Sequence, residues 1–229
     1  MIPLSNYFSM IIAGPSQCGK TTFVKKLLNS KLINLKNYKK IIWCYGTNVF
    51  DLPSELKKLN IKCYRGIPDP FPVDVGDSAL IILDDLMTQA SNEKISNLFT
   101  RGVHHDQHSV IHLTQNFFHQ GGKFSRDISL NANYLVYFKN PRDQSQFQYL
   151  ARQLYPENSK SLLQVYKEVT KEPHSYLFID LSQSIPDHLR FRSDIFNTQA
   201  VPVYCSTNWQ NEGQVETIEG APVYPVLFK

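Results

Sequence analysis

The stretch Gly14-Pro15-Ser16-Gln17-Cys18-Gly19-Lys20-Thr21 constrains this chain more than any other. It fits the spacing G-x-x-x-x-G-K-[ST], in which two glycines bracket a loop that a lysine and a hydroxyl close. The apolar run from Phe8 to Ala13 ahead of it reads as a strand. Lys20 to about Leu28 reads as an amphipathic helix, with Phe23, Leu27 and Leu28 on its buried side. Glycines let such a loop wrap an anion without Cβ clashes. Its amides point inward, and the helix N-terminus adds partial positive charge. Gly14, Pro15, Ser16, Gln17, Cys18, Gly19, Lys20, Thr21 and Thr22 would therefore cradle the phosphates of ATP. Lys20 would reach the β- and γ-phosphates, and the Thr21 hydroxyl would ligate Mg²⁺.

Ala79-Leu80-Ile81-Ile82-Leu83 is a continuous apolar run, the pattern of a strand buried on both faces of a parallel sheet. It ends in Asp84-Asp85. An acid at the tip of a buried strand is costly without a cation or hydrogen bonds, so Asp84 is the expected Mg²⁺ residue. Asp85 would orient and polarise the attacking water, the alternative being a plain loop or helix cap. The next strand, Ser109 to Thr114, runs into Gln115-Asn116. Gln115, with Asn116 second, would sit between Asp85 and the γ-phosphate and sense hydrolysis; an ordinary turn is the alternative. Arg101 could reach a neighbouring subunit's ATP as an arginine finger, with Arg126 and Arg142 as rivals and simple solvent exposure as the other reading. His104, His105, His108 and His112 invite a metal reading, but they run into a strand and would not converge. Cys18, inside the loop, is either oxidisable or an inert filler.

The remaining pattern alternates. Strands are expected at Lys40–Tyr45, Ile61–Tyr64, Tyr134–Phe138 and Tyr176–Asp180, with an edge strand over Leu189–Ile195. Helices are expected at Ser54–Leu59, Asn92–Thr100, Asp143–Leu154 and Ser159–Val169, and a helical turn at Asp127–Ala132. Such alternation implies a mainly parallel α/β sheet with helices on both faces. Past Asn197 the periodicity fades among Pro202, Gly213, Gly220, Pro222 and Pro225. The division expected is residues 1–196 as a phosphate-loop ATPase domain and 197–229 as a weakly ordered tail or docking arm.

With 229 residues the chain can bury a core without staples. A net charge of +4 permits a polyanionic partner without requiring one. Lys25, Lys26, Lys31, Lys36, Lys39 and Lys40 form either a solvated face or a DNA patch, and the Gly121-Gly122-Lys123 loop is a second DNA candidate. Cys18, Cys44, Cys63 and Cys205 have neither zinc nor disulfide spacing, which points to a reducing compartment. The start of the chain lacks a signal-peptide pattern and no apolar run spans a bilayer, so an intracellular protein without a membrane is expected.

Val110-Ile111-His112-Leu113-Thr114-Gln115-Asn116 resembles the strand ending in Gln of the FtsK/HerA superfamily. Leu83-Asp84-Asp85-Leu86-Met87 followed by Phe99-Thr100-Arg101-Gly102-Val103-His104-His105 resembles its viral branch, the genome-packaging ATPases of poxviruses, virophages and Polinton or adintovirus elements. The likeness spans roughly residues 1–182. It implies a P-loop NTPase with a RecA-like sheet, an additional strand between the two acidic and phosphate-loop strands, and a homo-oligomeric ring. It also implies an arginine finger in trans and ATP-driven movement of double-stranded DNA into a capsid built of viral proteins. Such an enzyme would work in host cytoplasm or nucleus, with association to the virion compatible with that role. Cellular members carry Asp-Glu where this chain carries Asp84-Asp85. The Gly-Pro-Ser start of the loop is also similar to guanylate kinases, which gives a nucleotide-kinase alternative. A nucleotide-binding module that hydrolyses poorly is a third reading.

Overall fold

The computed structural model describes residues 2–46, 52, 54–74, 76–86, 97–99, 103, 107–117, 128–206, 216–218 and 221–228. Strands β1 (Ser9–Ala13), β2 (Lys40–Tyr45), β3 (Lys62–Arg65), β4 (Ala79–Asp84), β5 (His108–Thr114) and β6 (Tyr134–Phe138) form the parallel part of one sheet, in the order β3-β2-β4-β5-β1-β6. β7 (Tyr176–Asp180), β8 (Phe191–Arg192) and β9 (Val201–Ser206) then add antiparallel to β6 in turn. β11 (Ala221–Phe228) lies parallel to β9, and β10 (Glu216–Ile218) antiparallel to β11.

Every residue of β1 and β6 is buried, as the continuous apolar runs require of strands covered on both faces. Alternate side chains enter two cores. Met10, Ile12, Trp43, Leu80, Ile82 and Ile111 pack with Phe23, Val24, Leu27 and Leu28 of α1 (Lys20–Asn29). Ile11, Ile42, Ile81, Leu83, Val110 and Leu135 face the other way, toward Phe147, Leu150 and Ala151 of α3 (Ser145–Leu154) and Leu162, Val165 and Tyr166 of α4 (Ser159–Val169). The short α2 (Ser54–Lys57) adds Leu56 to the α1 side. Within the helical hairpin, the Phe147 and Tyr166 rings stack with centroids 4.0 Å apart. The expected mainly parallel sheet with helices on both faces is the fold observed.

Two expectations change. The segment Leu189–Ile195 is not an edge strand: only Phe191–Arg192 is extended, and it sits between β7 and β9. Past Asn197 the chain, which looks weakly ordered in sequence, extends the sheet with β9, β10 and β11. Pro202, Pro222 and Pro225 lie inside these strands and obscure the two-residue alternation that marks strands elsewhere. The helix expected at Asn92–Thr100 lies mostly outside the described residues, and of the turn expected at Asp127–Ala132 residues 128–130 are helical, with Asp127 outside the described residues.

The join to the C-terminal strands is polar. Arg192 is 1% exposed and Asp180 4%; the two side chains form a hydrogen-bonded ion pair between β8 and β7. The Arg192 guanidinium also lies 4.8 Å from the centroid of the Phe178 ring. Breaking one half of such a pair strands a buried charge, whereas replacing both halves by apolar groups can be neutral. Arg192→Met is therefore expected to lower the urea-unfolding free energy by about 3 kcal/mol, and Arg192→Met with Asp180→Leu to recover most of that loss. A double-variant loss equal to the sum of the Arg192→Met and Asp180→Leu losses would show the pair to be uncoupled.

Candidate nucleotide site

Parallel register gathers the carboxyl ends of the central strands at one edge. Ala13 lies beside Thr114 and Tyr137, and Asp84 beside Leu113 and Tyr45. Ligand sites of open α/β sheets form at this edge. The loop Gly14–Gly19 leaves β1 there, with Gly14 N–H donating to the Thr114 carbonyl at 3.1 Å. A Cβ on Gly14 would stand 2.7 Å from both Phe138 Cβ and Cys18 Sγ, so β6 presses the loop closed and only glycine fits. Gln17 (φ 64°) and Gly19 (φ 110°) take left-handed backbone, and Gly19 caps α1. No side chain caps that helix start and no acid lies in its first turn. Its amides and dipole therefore face the cleft without a protein anion of their own.

Lys20, Thr21, Asp84, Asp85 and Gln115, singled out in sequence, come together here. Lys20 Nζ donates to the carbonyls of Gly14 (2.6 Å) and Pro15 (2.8 Å), which holds the ammonium against the loop. Burial pushes the Lys20 pKa below its ordinary value, while Cys18, Asp84 and Asp85 pull it back up. Thr21 Oγ1 donates to Asp84 Oδ2 at 3.2 Å. Burial raises the Asp84 pKa above the usual carboxylate range; the Thr21 hydrogen bond opposes this, Asp85 adds to it, and Lys20 and the Trp43 hydrogen bond oppose it. A carboxylate held in that balance gains from a cation. Thr21 Oγ1 and Asp84 Oδ2 offer the hard oxygen donors that Mg²⁺ accepts, with phosphate and water oxygens to complete its shell.

Asp85, one residue past β4, has φ 54°. Its Oδ1 accepts from Gln115 Nε2 at 3.1 Å, so the second acid and the end of β5 meet. The Asn116 backbone closes a turn on Thr114, its N–H donating to the Thr114 hydroxyl and its carbonyl accepting from it, while its side-chain Oδ1 is buried without a hydrogen-bond partner among the described residues. Arg101 and Arg126 lie outside the described residues, as do His104, His105 and Lys123. Arg142 is exposed on the loop after β6. Among the described residues no three His, Cys, Asp or Glu side chains converge on one point. Burial raises the Cys18 pKa, against a smaller lowering by Lys20, which favours the inert reading of that thiol.

Two residues were not legible as part of the site. Gly46 follows β2, its N–H donating to the Asp84 carbonyl at 3.0 Å, and a Cβ there would stand 2.1 Å from the Asp85 carbonyl oxygen. Gly46 is thus the floor on which the left-handed turn at Asp85 rests; a glycine closing a strand was the only sequence signal. His174 reaches the loop from the turn before β7, with Nδ1 3.1 Å from the Cys18 carbonyl, and nothing in its sequence surroundings marks it. It lines a cleft of about 750 Å³ that runs from Gln17, Lys20 and Thr21 past Phe138 to Asp194 and Phe196.

The lysine patch also reads differently in three dimensions. Lys40 Nζ pairs with Asp77 at 2.7 Å and Asp74 at 2.9 Å, and Lys39 with Asp77 at 3.6 Å. These pairs sit at the amino ends of β2 and β4, the edge opposite the phosphate loop, and much of their charge is already matched.

A parallel sheet whose β5 lies between the phosphate-loop strand β1 and the acid-bearing strand β4 is the P-loop NTPase fold of RecA-like type, with the additional strand. The chain is similar in structure to the genome packaging NTPase B204 from Sulfolobus turreted icosahedral virus 2. In its complex with AMP the likeness has TM-score 0.51 at 13% identity, over 83% of this chain and 98% of that one. In its complex with sulfate the TM-score is 0.50 at 13% identity, over 80% and 95%. No protein-family model and no curated protein matches the chain. Among the described residues no helix is long and apolar enough to cross a membrane.

Gly46→Ala is expected to lower stability by about 1–3 kcal/mol in urea unfolding, because the new methyl must displace the Asp85 carbonyl. A loss under about 0.5 kcal/mol, the size of an ordinary surface change, would show that the turn is not supported there.

Proposed function

We propose that this chain is an ATPase that moves double-stranded DNA into a viral capsid as part of a homo-oligomeric ring. The observation that carries the ATPase reading is the pairing of Asp85 with Gln115 beside the Thr21–Asp84 pair. It joins four residues from three sequence-distant segments in the arrangement a hydrolytic site needs. The inserted strand β5 favours this reading over a nucleotide kinase, since the FtsK/HerA resemblance calls for that strand and the kinase reading does not. The DNA and capsid side rests on the motif resemblance and on the packaging role named for B204. With Lys39 and Lys40 matched by acids, the Gly121-Gly122-Lys123 loop is the better DNA candidate, and it lies outside the described residues.

In this reading the loop amides and Lys20 bind the triphosphate of ATP, and Thr21 with Asp84 would hold Mg²⁺. When bound, Mg²⁺ offsets charge on the β- and γ-phosphate oxygens. Asp85 accepts the proton of a water whose oxygen attacks the γ-phosphorus, as the bond to the bridging oxygen breaks. Gln115 holds the Asp85 carboxylate through its amide N–H and so ties β5 to the state of the γ-phosphate. Arg101 supplies the finger to the next subunit's ATP. Residues 197–229, whose described strands β9, β10 and β11 extend the sheet, serve as the docking arm.

Steady-state ATP hydrolysis measured with and without long double-stranded DNA tests the whole. Stimulation that fades as salt rises from low to moderate is expected, because phosphate contacts release counterions. Asp85→Asn should lower turnover by about 10²–10⁴-fold and leave ATP binding intact. Turnover indifferent to DNA would favour the kinase, and near-zero turnover with tight binding the poorly hydrolysing module.

A further inference from the structure

The turn between α4 and β7 has no part in the roles above, yet the fold carries it to the phosphate loop. β7 runs antiparallel to β6, so its first residue, Tyr176, pairs with the last residue of β6, Phe138. Phe138 is the side chain that packs against Gly14. The turn Glu172-Pro173-His174-Ser175 is closed by Ser175, whose N–H (3.3 Å) and Oγ (2.6 Å) both donate to the Glu172 carbonyl. His174 takes left-handed backbone at φ 63°, a conformation that histidine enters more readily than most residues. From there its Nδ1 reaches the Cys18 carbonyl at 3.1 Å and lies 3.6 Å from where a Cβ on Gly19 would stand.

The peptide that His174 touches is the one between Cys18 and Gly19. A trans peptide is rigid, with its carbonyl and its N–H on opposite sides. An imidazole N–H that holds the Cys18 oxygen on the outer side of the loop therefore turns the Gly19 N–H inward, toward the seat of an anion. Gly19, free of a Cβ and at φ 110°, gives this peptide little local resistance to flipping. A flipped peptide would present an oxygen to the phosphates.

We propose that His174 is a positioning residue for phosphate binding: by holding the Cys18 carbonyl outward it keeps the Gly19 N–H aimed at the phosphate seat. This rests on the phosphate-loop reading of Gly14–Thr22. The nucleoside is not required for the effect, so inorganic tripolyphosphate is the discriminating probe.

Calorimetric binding of ATP and of inorganic tripolyphosphate, each with Mg²⁺, would be compared across four proteins: wild type, His174→Gly, His174→Asn and Lys20→Ala. Glycine keeps the left-handed backbone and removes the ring. Asparagine tolerates the same backbone and carries an N–H donor on Cγ, where histidine carries Nδ1. His174→Gly should weaken both ligands by the same factor, about fivefold for one lost hydrogen bond, and His174→Asn should restore most of it. Unchanged tripolyphosphate binding in His174→Gly overturns the inference, including the case in which ATP alone weakens, where the ring would act on the nucleoside. A loss that His174→Asn leaves unrepaired overturns it as well. If wild type binds neither ligand, or Lys20→Ala binds both as wild type does, the phosphate-loop reading itself falls.

Discussion

The seating of β5 between β1 and β4 is the constraint on which the rest of the molecule depends. It is hydrogen-bonded to both neighbours, in register from Ser9↔Val110 on one side and Ala79↔His108 on the other. Through it the phosphate loop and the acidic strand, some seventy residues apart in the chain, are set at a fixed separation. The Gly14–Thr114 hydrogen bond anchors the root of the loop to β5, and the Gln115–Asp85 bond anchors the acidic turn to the same strand. A side chain at the end of β5 thus touches one of the two partners while its backbone holds the other. Burial on both faces makes this rigid, since a strand so covered cannot slip register without exposing an entire apolar row.

Most of this sheet could be read directly from residue order. Runs such as Ala79-Leu80-Ile81-Ile82-Leu83 leave no polar face, so their place in the middle of a parallel sheet follows from composition alone. Tyr134–Phe138, Ser159–Val169 and Tyr176–Asp180 form as expected, end to end, because turn residues or proline bound them. The turn from β1 into α1 was legible because its signal is local: nine consecutive residues, Gly14 to Thr22, hold the whole motif. Thr21, Asp84, Asp85 and Gln115 were legible because each closes or follows an apolar run or a helix start.

What escaped has a common cause. Gly46 and His174 act on backbone atoms of other segments, and a backbone atom leaves no trace in residue identity. Lys39 and Lys40 looked like a free basic patch because their partners, Asp74 and Asp77, lie more than thirty residues on, brought alongside by β4 pairing with β2. The C-terminal strands escaped because prolines break their alternation, and because they join the sheet through the two-residue β8, too short to show a pattern of its own.

The left-handed backbone at Asp85 bears on how such a site can change over generations. Aspartate, like asparagine, enters that region at lower cost than residues with longer or branched side chains. In this chain the turn has room because Gly46, without a Cβ, lets the Asp85 carbonyl approach. Lengthening the acid to glutamate would add reach and backbone strain in the same step. The two acids are therefore separate solutions to the same task, each tied to its own turn. A lineage passing from one to the other would have to reshape the end of β2 before, or together with, the single codon change.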